Sequence, residues 1–192
     1  SYVQQTSNWL ENLGVEPKSR LILPQLVYPQ TEILIYGIWN LGASAVLPAE
    51  LSINKVKERS GASQLISKKT DLFLKIKEYP KNYKPKYKPL LNDEAVVSFE
   101  NEAGARLSHY NLLVNANGIQ KAIGLKSRTH IYCDIINIST SWVVFQVILP
   151  IYCGCIYDNL KPEISIGTSG SDYNLRKDIK NLKKFFKAIP QI

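Results

Sequence analysis

Short runs of valine, isoleucine and leucine alternate along this chain with segments that have the amphipathic period of a helix. Such runs occupy residues 20–24, 44–49 and 94–99, and each is followed by a helical pattern. Alternating strands and helices imply parallel pairing, and near-continuous apolar strands imply a sheet that is buried on both faces. The sequence therefore predicts an α/β fold: an open, mostly parallel sheet with helices on both faces.

One proline-rich segment interrupts this alternation. Residues 79–92, YPKNYKPKYKPLLN, contain three prolines, four lysines and three tyrosines, and they contain no acid. Proline is excluded from helix interiors and from central strands, so this segment is predicted to be an extended surface linker. A length of 192 residues suits one domain with a sizeable core. We therefore expect a single domain over residues 1–192 that contains this linker.

The chain is basic, with a formal net charge of +8 and a pI near 9.3. This balance is compatible with nucleic acid, an anionic membrane surface or an acidic partner, and it does not choose among them. One hypothesis is a nucleic-acid-binding module that uses 79–89, where tyrosines interleave with lysines, and the basic helix predicted at 172–189. The favoured interpretation is a solvated loop and an amphipathic surface helix.

The most apolar stretch, residues 142–157, is 16 residues long and contains Pro150 and Gly154. It falls short of the roughly 20 residues that a membrane-spanning helix needs. A buried helix followed by a strand is predicted instead, with no membrane span. The polar start of the chain lacks the apolar region of a signal peptide, so we expect a cytoplasmic location.

Cysteine and histidine residues give no indication of a reactive centre. An odd number of cysteines (Cys133, Cys153 and Cys155) argues against a disulfide framework, and two cysteines one residue apart do not make a zinc site. We expect reduced, buried thiols and no metal. His109 and His130 have no serine, cysteine or carboxylate partner at a motif spacing, so no catalytic residue is predicted.

The connection 99–107, FENEAGARL, lies between a predicted strand and a helix that is entered through Ser108. A phosphate-binding loop in this position would use successive backbone N–H groups, with glycine and a cation to help. Only Gly104 and Arg106 fit that role, and Glu100 and Glu102 would repel a triphosphate. A plain strand-to-helix turn is the favoured interpretation.

A second candidate loop is GTSGSD, residues 167–172, between a predicted strand and the last predicted helix. Its backbone is suited to an anion or a nucleotide base. The favoured alternative is that Ser171 or Asp172 caps the helix.

Read in order, several segments resemble the AMP-forming acyl-CoA synthetases, the adenylate-forming ligases. LSHYNLLVNANGIQKAIGL, residues 107–125, is similar to the family's "lSHrNLl" segment and is the best single match. LLNDEAVVSF, LPIYCGCIYDN and ISIGTSGSDYNLRKDIKNLKKF resemble the strand before the family's phosphate loop, a later helix–strand step and the segment that approaches adenine. The resemblance is collinear over nearly the whole chain.

The departures from the family pattern fall at the phosphate loop. The family's loop resembles YTSGTTGxPKGVxLSH, whereas the segment from Asp93 to His109 lacks the Thr-, Ser- and Gly-rich residues. The lysine of "PKG" has no counterpart, although Arg106 is near. The family's later motifs and its C-terminal lid with the catalytic lysine would come after Ile192. The resemblance thus implies a truncated, degenerate N-terminal subdomain.

From this resemblance we expect a non-catalytic relative that binds a protein, a second copy of itself, or a small acyl or nucleotide ligand. Arg106, Ser108, Ser169 and Gly170 are the residues of a vestigial nucleotide site. No cofactor is expected; ATP and Mg²⁺ would be needed only by the alternative, a partial or split ligase completed by another chain.

Overall fold

The computed structural model describes residues 1–48, 51–99, 104–135, 138–167 and 170–174. The chain divides into two compact units, Ser1–His109 and Tyr110–Ile192. Each unit contains its own four-stranded sheet. The α/β fold with mostly parallel strands flanked by helices is thus confirmed, and its strands are shared between two sheets. One domain over residues 1–192 stays a prediction.

The first unit combines four helices with a sheet of order β1-β2-β3-β4. β1 to β3 run parallel, and β4 runs antiparallel to β3 at the edge. The elements are α1 Tyr2–Asn12, β1 Arg20–Ile22, α2 Gln30–Asn40, β2 Ser44–Leu47, α3 Ile53–Ser60, α4 Leu72–Ile76, β3 Glu94–Ser98 and β4 Ala105–Ser108. The three predicted strands at 20–24, 44–49 and 94–99 correspond to β1, β2 and β3.

The three parallel strands of the first unit are buried on both faces, as their near-continuous apolar character predicts, whereas the edge strand β4 is partly exposed. On one face, a cluster joins the strands to Val56 of α3, and its members are Ile22, Val46, Val56, Ala62, Val97 and Phe99. Because strand residues alternate in direction, Ala45 and Val96 face the opposite side, where α2 packs against the sheet. Trp39 of α2 donates its indole N–H to the carbonyl of Ala95 at 2.9 Å.

Local signals define α3. The Ser52 side chain accepts a hydrogen bond from the Lys55 amide, which satisfies one of the unpaired donors of the first turn. At the other end, Gly61 adopts the left-handed conformation with φ 65°. Glycine reaches this conformation without steric cost, so the helix ends there and Arg59 and Ser60 lie in its last turn.

The second unit has an all-parallel sheet of order β6-β5-β7-β8. A π-helical segment, Val143–Ile148, separates two short α-helices in the apolar stretch. The elements are α5 His109–Ile123, β5 His130–Asp134, α6 Thr140–Trp142, α7 Leu149–Cys153, β6 Ile156–Tyr157, β7 Ile164–Gly167 and β8 Tyr173–Asn174. None of the helices that the structure describes has the length and apolar character needed to span a bilayer.

Several expectations from the sequence are met and two are not. Residues 79–92 contain no helix or strand, and all three cysteines are free, with Cys133 and Cys153 buried. The predicted direct turn into a helix at 99–107 is wrong, because residues 105–108 form β4. The helix predicted at 172–189 does not begin at 172, since residues 173–174 are β8; its remaining part lies outside the described residues.

Candidate functional site

A β-hairpin occupies the position at which the resemblance places a phosphate loop. β3 and β4 are joined by residues 99–104, with Val97 opposite Arg106 and Ser98 opposite Ala105. Gly104 has φ 77°, a backbone conformation that favours glycine. A Cβ atom there would lie 3.1 Å from the Phe99 ring, so a larger residue would also be crowded. The hairpin explains why the turn prediction fails: β4 has little apolar character of its own and exists through its pairing with β3.

An ion-pair network closes the base of this hairpin. Glu94 of β3 accepts two hydrogen bonds from Arg20 of β1, each 2.7 Å long, in a two-pronged arrangement. Arg106 of β4 donates its Nε–H to the same carboxylate. Arg20 also donates to the carbonyl of Ser60 at 2.8 Å, which ties the end of α3 to the sheet. Two arginines therefore share one carboxylate between three strands and a helix.

The environment keeps this carboxylate ionised. Burial opposes the charge of Glu94, but the hydrogen bonds from Arg20 and Arg106 outweigh it, so the pKa of the Glu94 carboxyl lies below its usual value. The bond to Glu94 likewise raises the pKa of Arg20. The side chains of Arg20 and Glu94 are 27% and 15% exposed, whereas that of Arg106 is 72% exposed. Arg106 is thus held at one end and open to solvent at the other.

A groove with a volume of about 730 Å³ opens above this network. Its walls come from the start of β1, the end of α3 and both strands of the hairpin. The lining residues are Arg20, Arg59, Ser60, Val97, Phe99, Gly104, Ala105 and Arg106. Arg106, a site residue predicted from the sequence, lies in this groove. Arg20, Arg59 and Glu94 were missed, because no motif in the sequence links them to Arg106.

Ser108, the second predicted site residue, is the last residue of β4 and pairs with Glu94. It lies two residues from Arg106 and hence on the same side of the strand. The helix α5 begins directly after it, at His109, whose amide donates to the Asp93 carbonyl at 3.2 Å. The His109 ring packs edge-on against Trp39, and burial lowers its pKa. His109 is thus the first residue of α5, and its ring is part of the packing of the first unit.

The predicted loop 167–172 belongs to the second unit. Gly170 has φ 68°, and Ser169 lies outside the described residues. Asp172 accepts hydrogen bonds from the amide and the hydroxyl of Ser165, each 2.7 Å long, so its carboxylate is bonded to β7. Arg106 and Ser108 lie in the first unit, and the vestigial nucleotide site that combines them with Ser169 and Gly170 stays a prediction.

Two of the three tyrosines of the 79–92 segment bond to acids of the first unit. Tyr83 donates its hydroxyl to Glu11 at 3.2 Å, and Tyr87 donates to Asp93 at 2.7 Å. Lys86 forms an ion pair with Glu11 at 3.1 Å. These side chains hold the segment against the unit, which leaves their aromatic rings less available as platforms for stacked bases.

His130 has a carboxylate partner that motif spacing did not indicate. Its Nδ1 lies 2.8 Å from Asp158, a residue 28 positions away in the chain. This hydrogen bond, with those from the amides of Lys161 and Leu160, lowers the pKa of Asp158 to about 2. Among the residues that the structure describes, no three histidine, cysteine or acidic side chains are grouped as a metal site.

No protein-family model and no curated protein matches this chain. Its fold does match solved structures. A long-chain-fatty-acid-CoA ligase from Archaeoglobus fulgidus matches with a TM-score of 0.65 at 14% identity, over 96% of this chain and 41% of the ligase. A fatty acyl CoA synthetase from Mycobacterium tuberculosis gives 0.68 at 15%, over 98% and 44%. The N-terminal subdomain of Klebsiella oxytoca NpsA, solved with 3-hydroxybenzoyl-AMSN, gives 0.65 at 17%, over 81% and 44%.

These likenesses define a class of fold. The chain has the fold of the N-terminal part of the adenylate-forming acyl-CoA synthetases and ligases. It spans about two fifths of the length of the first two of these enzymes. At identities of 14–17% the comparison establishes the fold, and the chemistry has to be argued from the residues.

Proposed function

We propose that this chain is a non-catalytic acyl-CoA synthetase-like domain that works by binding a protein or a small acyl or nucleotide ligand. One observation carries the proposal. Where the resemblance places a glycine-rich phosphate loop, the chain has a β-hairpin whose base is closed by the Arg20–Glu94–Arg106 network.

Adenylation needs a triphosphate held by successive backbone N–H groups and by cations that stabilise charge on the reacting phosphate. In the hairpin, Val97 and Ser98 are paired with Arg106 and Ala105 in an antiparallel ladder. The backbone polar groups of β3, which lies between β2 and β4, are therefore used within the sheet. The cation nearest to the missing lysine, Arg106, is bonded to Glu94. A pairing of this kind stabilises the ground state of the hairpin and opposes its opening around a triphosphate.

We assign Arg106 and Ser108 on β4, together with Ser169 and Gly170, to a vestigial nucleotide site. Neither ATP nor Mg²⁺ is required as a cofactor. A protein partner or a second copy of the chain is proposed as the principal ligand, and the exposed residues Ala105 and Arg106 of the edge strand β4 support this.

The direct test is exchange of radiolabelled pyrophosphate into ATP in the presence of Mg²⁺ and a panel of acids: acetate, octanoate, palmitate and benzoate. We expect no acid-dependent exchange above a reaction without the chain. An active acyl-CoA synthetase in the same buffer is the positive control. Exchange that depends on one of the acids and on Mg²⁺ would show that the hairpin supports adenylation, and the proposal would be wrong.

The alternative function is a split ligase, in which a second chain supplies the missing groups. Its supporting observation is that the chain has the fold of the N-terminal part of solved adenylate-forming ligases. Affinity purification of the tagged chain, followed by the same exchange assay on any stoichiometric complex, separates the two hypotheses. Acid-dependent exchange by the complex, but not by the chain alone, favours the split ligase; an inactive complex or a homo-oligomer favours the binding domain.

A further inference from the structure

The segment between α4 and β3, residues 79–92, is anchored to α1, and we call it the strap. Asn8 of α1 donates its side-chain amide N–H to the carbonyl of Pro80 at 2.9 Å. One turn earlier in the helix, Gln5 donates in the same way to the carbonyl of Tyr79 at 3.0 Å. These bonds satisfy backbone groups of a segment that contains no helix or strand, so they fix its path over the first unit.

The three tyrosines of the strap are all engaged with the unit. The hydroxyl of Tyr79 accepts a hydrogen bond from Asn12 at 3.0 Å. Those of Tyr83 and Tyr87 each donate to a carboxylate, and the ammonium group of Lys18 lies 5.5 Å from the centre of the Tyr87 ring. Rings that are held in this way do not suit stacking on nucleic-acid bases or insertion at the headgroup level of a membrane.

The lysines of the strap, in contrast, are exposed to solvent. Lys81, Lys84 and Lys88 form no ion pair with any residue that the structure describes, whereas Lys86 pairs with Glu11 at 3.1 Å. Lys84 and Lys88 each precede a proline, which confines their backbone to extended conformations. Their charges are therefore displayed on a fixed backbone, so a partner that binds them orders little additional chain.

Two exposed leucines follow these lysines in the chain. Leu90 and Leu91 are 62% and 56% exposed. The Leu90 amide donates to the Asp93 carboxylate at 2.7 Å, and the Leu90 carbonyl accepts from the Asp93 amide at 3.0 Å. A closed turn thus presents both apolar side chains beside the cations. An apolar contact bordered by charges is the composition of a protein–protein interface.

We propose that the outer face of the strap binds an acidic segment of a partner protein that also carries apolar side chains. This face consists of three lysines and two leucines, namely Lys81, Lys84, Lys88, Leu90 and Leu91. Charge complementarity selects the carboxylates of the partner. The prolines of the strap lack an amide donor, so the partner contacts side chains instead of adding a β-strand. This inference rests on the proposed binding function, and it names the class of partner.

The test uses a fluorescein-labelled peptide in which glutamate alternates with alanine and two leucines follow. Its binding to the whole chain is measured by fluorescence polarisation at low ionic strength, beside a peptide with glutamine in place of glutamate. Oligothymidylate and vesicles of phosphatidylserine and phosphatidylcholine in equal parts are measured under the same conditions. We expect saturable binding of the glutamate peptide alone. No saturable binding of this peptide, or tighter binding of the oligonucleotide or the vesicles, would overturn the proposal.

Two matched double substitutions remove the same charge from different places in the first unit. Lys84→Gln with Lys88→Gln is expected to weaken binding of the glutamate peptide by at least about fivefold, because two exposed ion pairs are lost. Lys55→Gln with Lys57→Gln, at exposed positions of α3, is expected to change it by less than about twofold. An equal loss in both would mean that net charge alone attracts the peptide, and the surface would be refuted.

Leu91→Ser keeps the test decisive if the lysine variant does not fold. It is expected to weaken binding of the glutamate peptide by about threefold, since an apolar contact is lost, whereas Leu65→Ser, at a leucine that is 45% exposed, is expected to have no effect. Unchanged binding in the Leu91 variant would contradict the proposal. Acid-dependent pyrophosphate exchange would refute the non-catalytic function, whereas failure to bind the peptide would refute only this surface.

Discussion

The Arg20–Glu94–Arg106 network offers a quantitative test of how this hairpin is held. The perturbation is Glu94→Gln, which keeps the size of the side chain and removes its charge, combined with Arg20→Met and Arg106→Met, which keep most of the apolar stem of each arginine. Two double-mutant cycles then give the coupling energy of Glu94 with each arginine separately. Both cycles share the same glutamate and the same replacement residue, so each is the control for the other.

The expected magnitudes follow from exposure and geometry. Arg20 is 27% exposed and makes two hydrogen bonds of 2.7 Å to a carboxylate that is 15% exposed. Its coupling should lie between that of a surface pair and that of a buried pair, at about 2 kcal/mol. Arg106 is 72% exposed, so solvent screens its pair and we expect about 0.5 kcal/mol. We expect Glu94→Gln alone to lower the free energy of unfolding by about 2–3 kcal/mol.

Hydrogen exchange of the amides of Val96 and Val97 in β3 measures the opening free energy of this sheet without assuming that both units unfold together. A coupling energy for Arg106 equal to or larger than that for Arg20 would refute the reasoning from exposure.

The dependence of the opening free energy on pH is a second measurement. Because the folded pKa of Glu94 is lowered, its stabilisation is present above the unfolded pKa and is lost as the pH falls below about 4. The Glu94→Gln variant should lack this component of the acid sensitivity.

Two further predictions concern the packing of each unit. Gly42 and Gly61 both have positive φ, but a Cβ atom at Gly42 would overlap the ring of Tyr87, whereas at Gly61 it would meet open space. Gly61→Ala should destabilise by about 1 kcal/mol and Gly42→Ala by about 2–3 kcal/mol in urea unfolding, and equal losses would contradict this. Burial raises the pKa of Cys133 to about 12, and Cys155 is partly exposed. In the native protein iodoacetamide should therefore modify Cys155 well before Cys133, as mass spectrometry of digests would show, and equal rates would contradict this.

Much of the fold could be predicted from the sequence because its central strands have a strong local signal. Residues 20–22, 44–47 and 94–98 form the strands expected from their valine, isoleucine and leucine content. A sheet that is buried on both faces requires such runs, so the pattern and the structure share one cause. The capping of α3 by Ser52 was likewise predictable, because a helix end is satisfied by residues adjacent in sequence.

The hairpin shows where local reasoning fails. ARLS, residues 105–108, has one strongly apolar residue and no alternating pattern, so it does not predict a strand by itself. It becomes β4 because β3 offers unpaired backbone groups at the edge of the sheet, and pairing satisfies them. The same limit applies to His130, since its partner Asp158 follows from the parallel pairing of β5 with β6.

By itself, the amino-acid sequence determined the class of fold: an α/β chain that resembles the N-terminal part of adenylate-forming ligases. Only the tertiary structure decided that β3 and β4 pair as a hairpin and which side chains meet at its base. Arg20 and Glu94 are 74 residues apart, and they meet because β1 and β3 flank β2 in one sheet. Contacts of this range arise from strand order, which no local pattern encodes, and they bring Arg20, Glu94 and Arg106 together at the base of the hairpin.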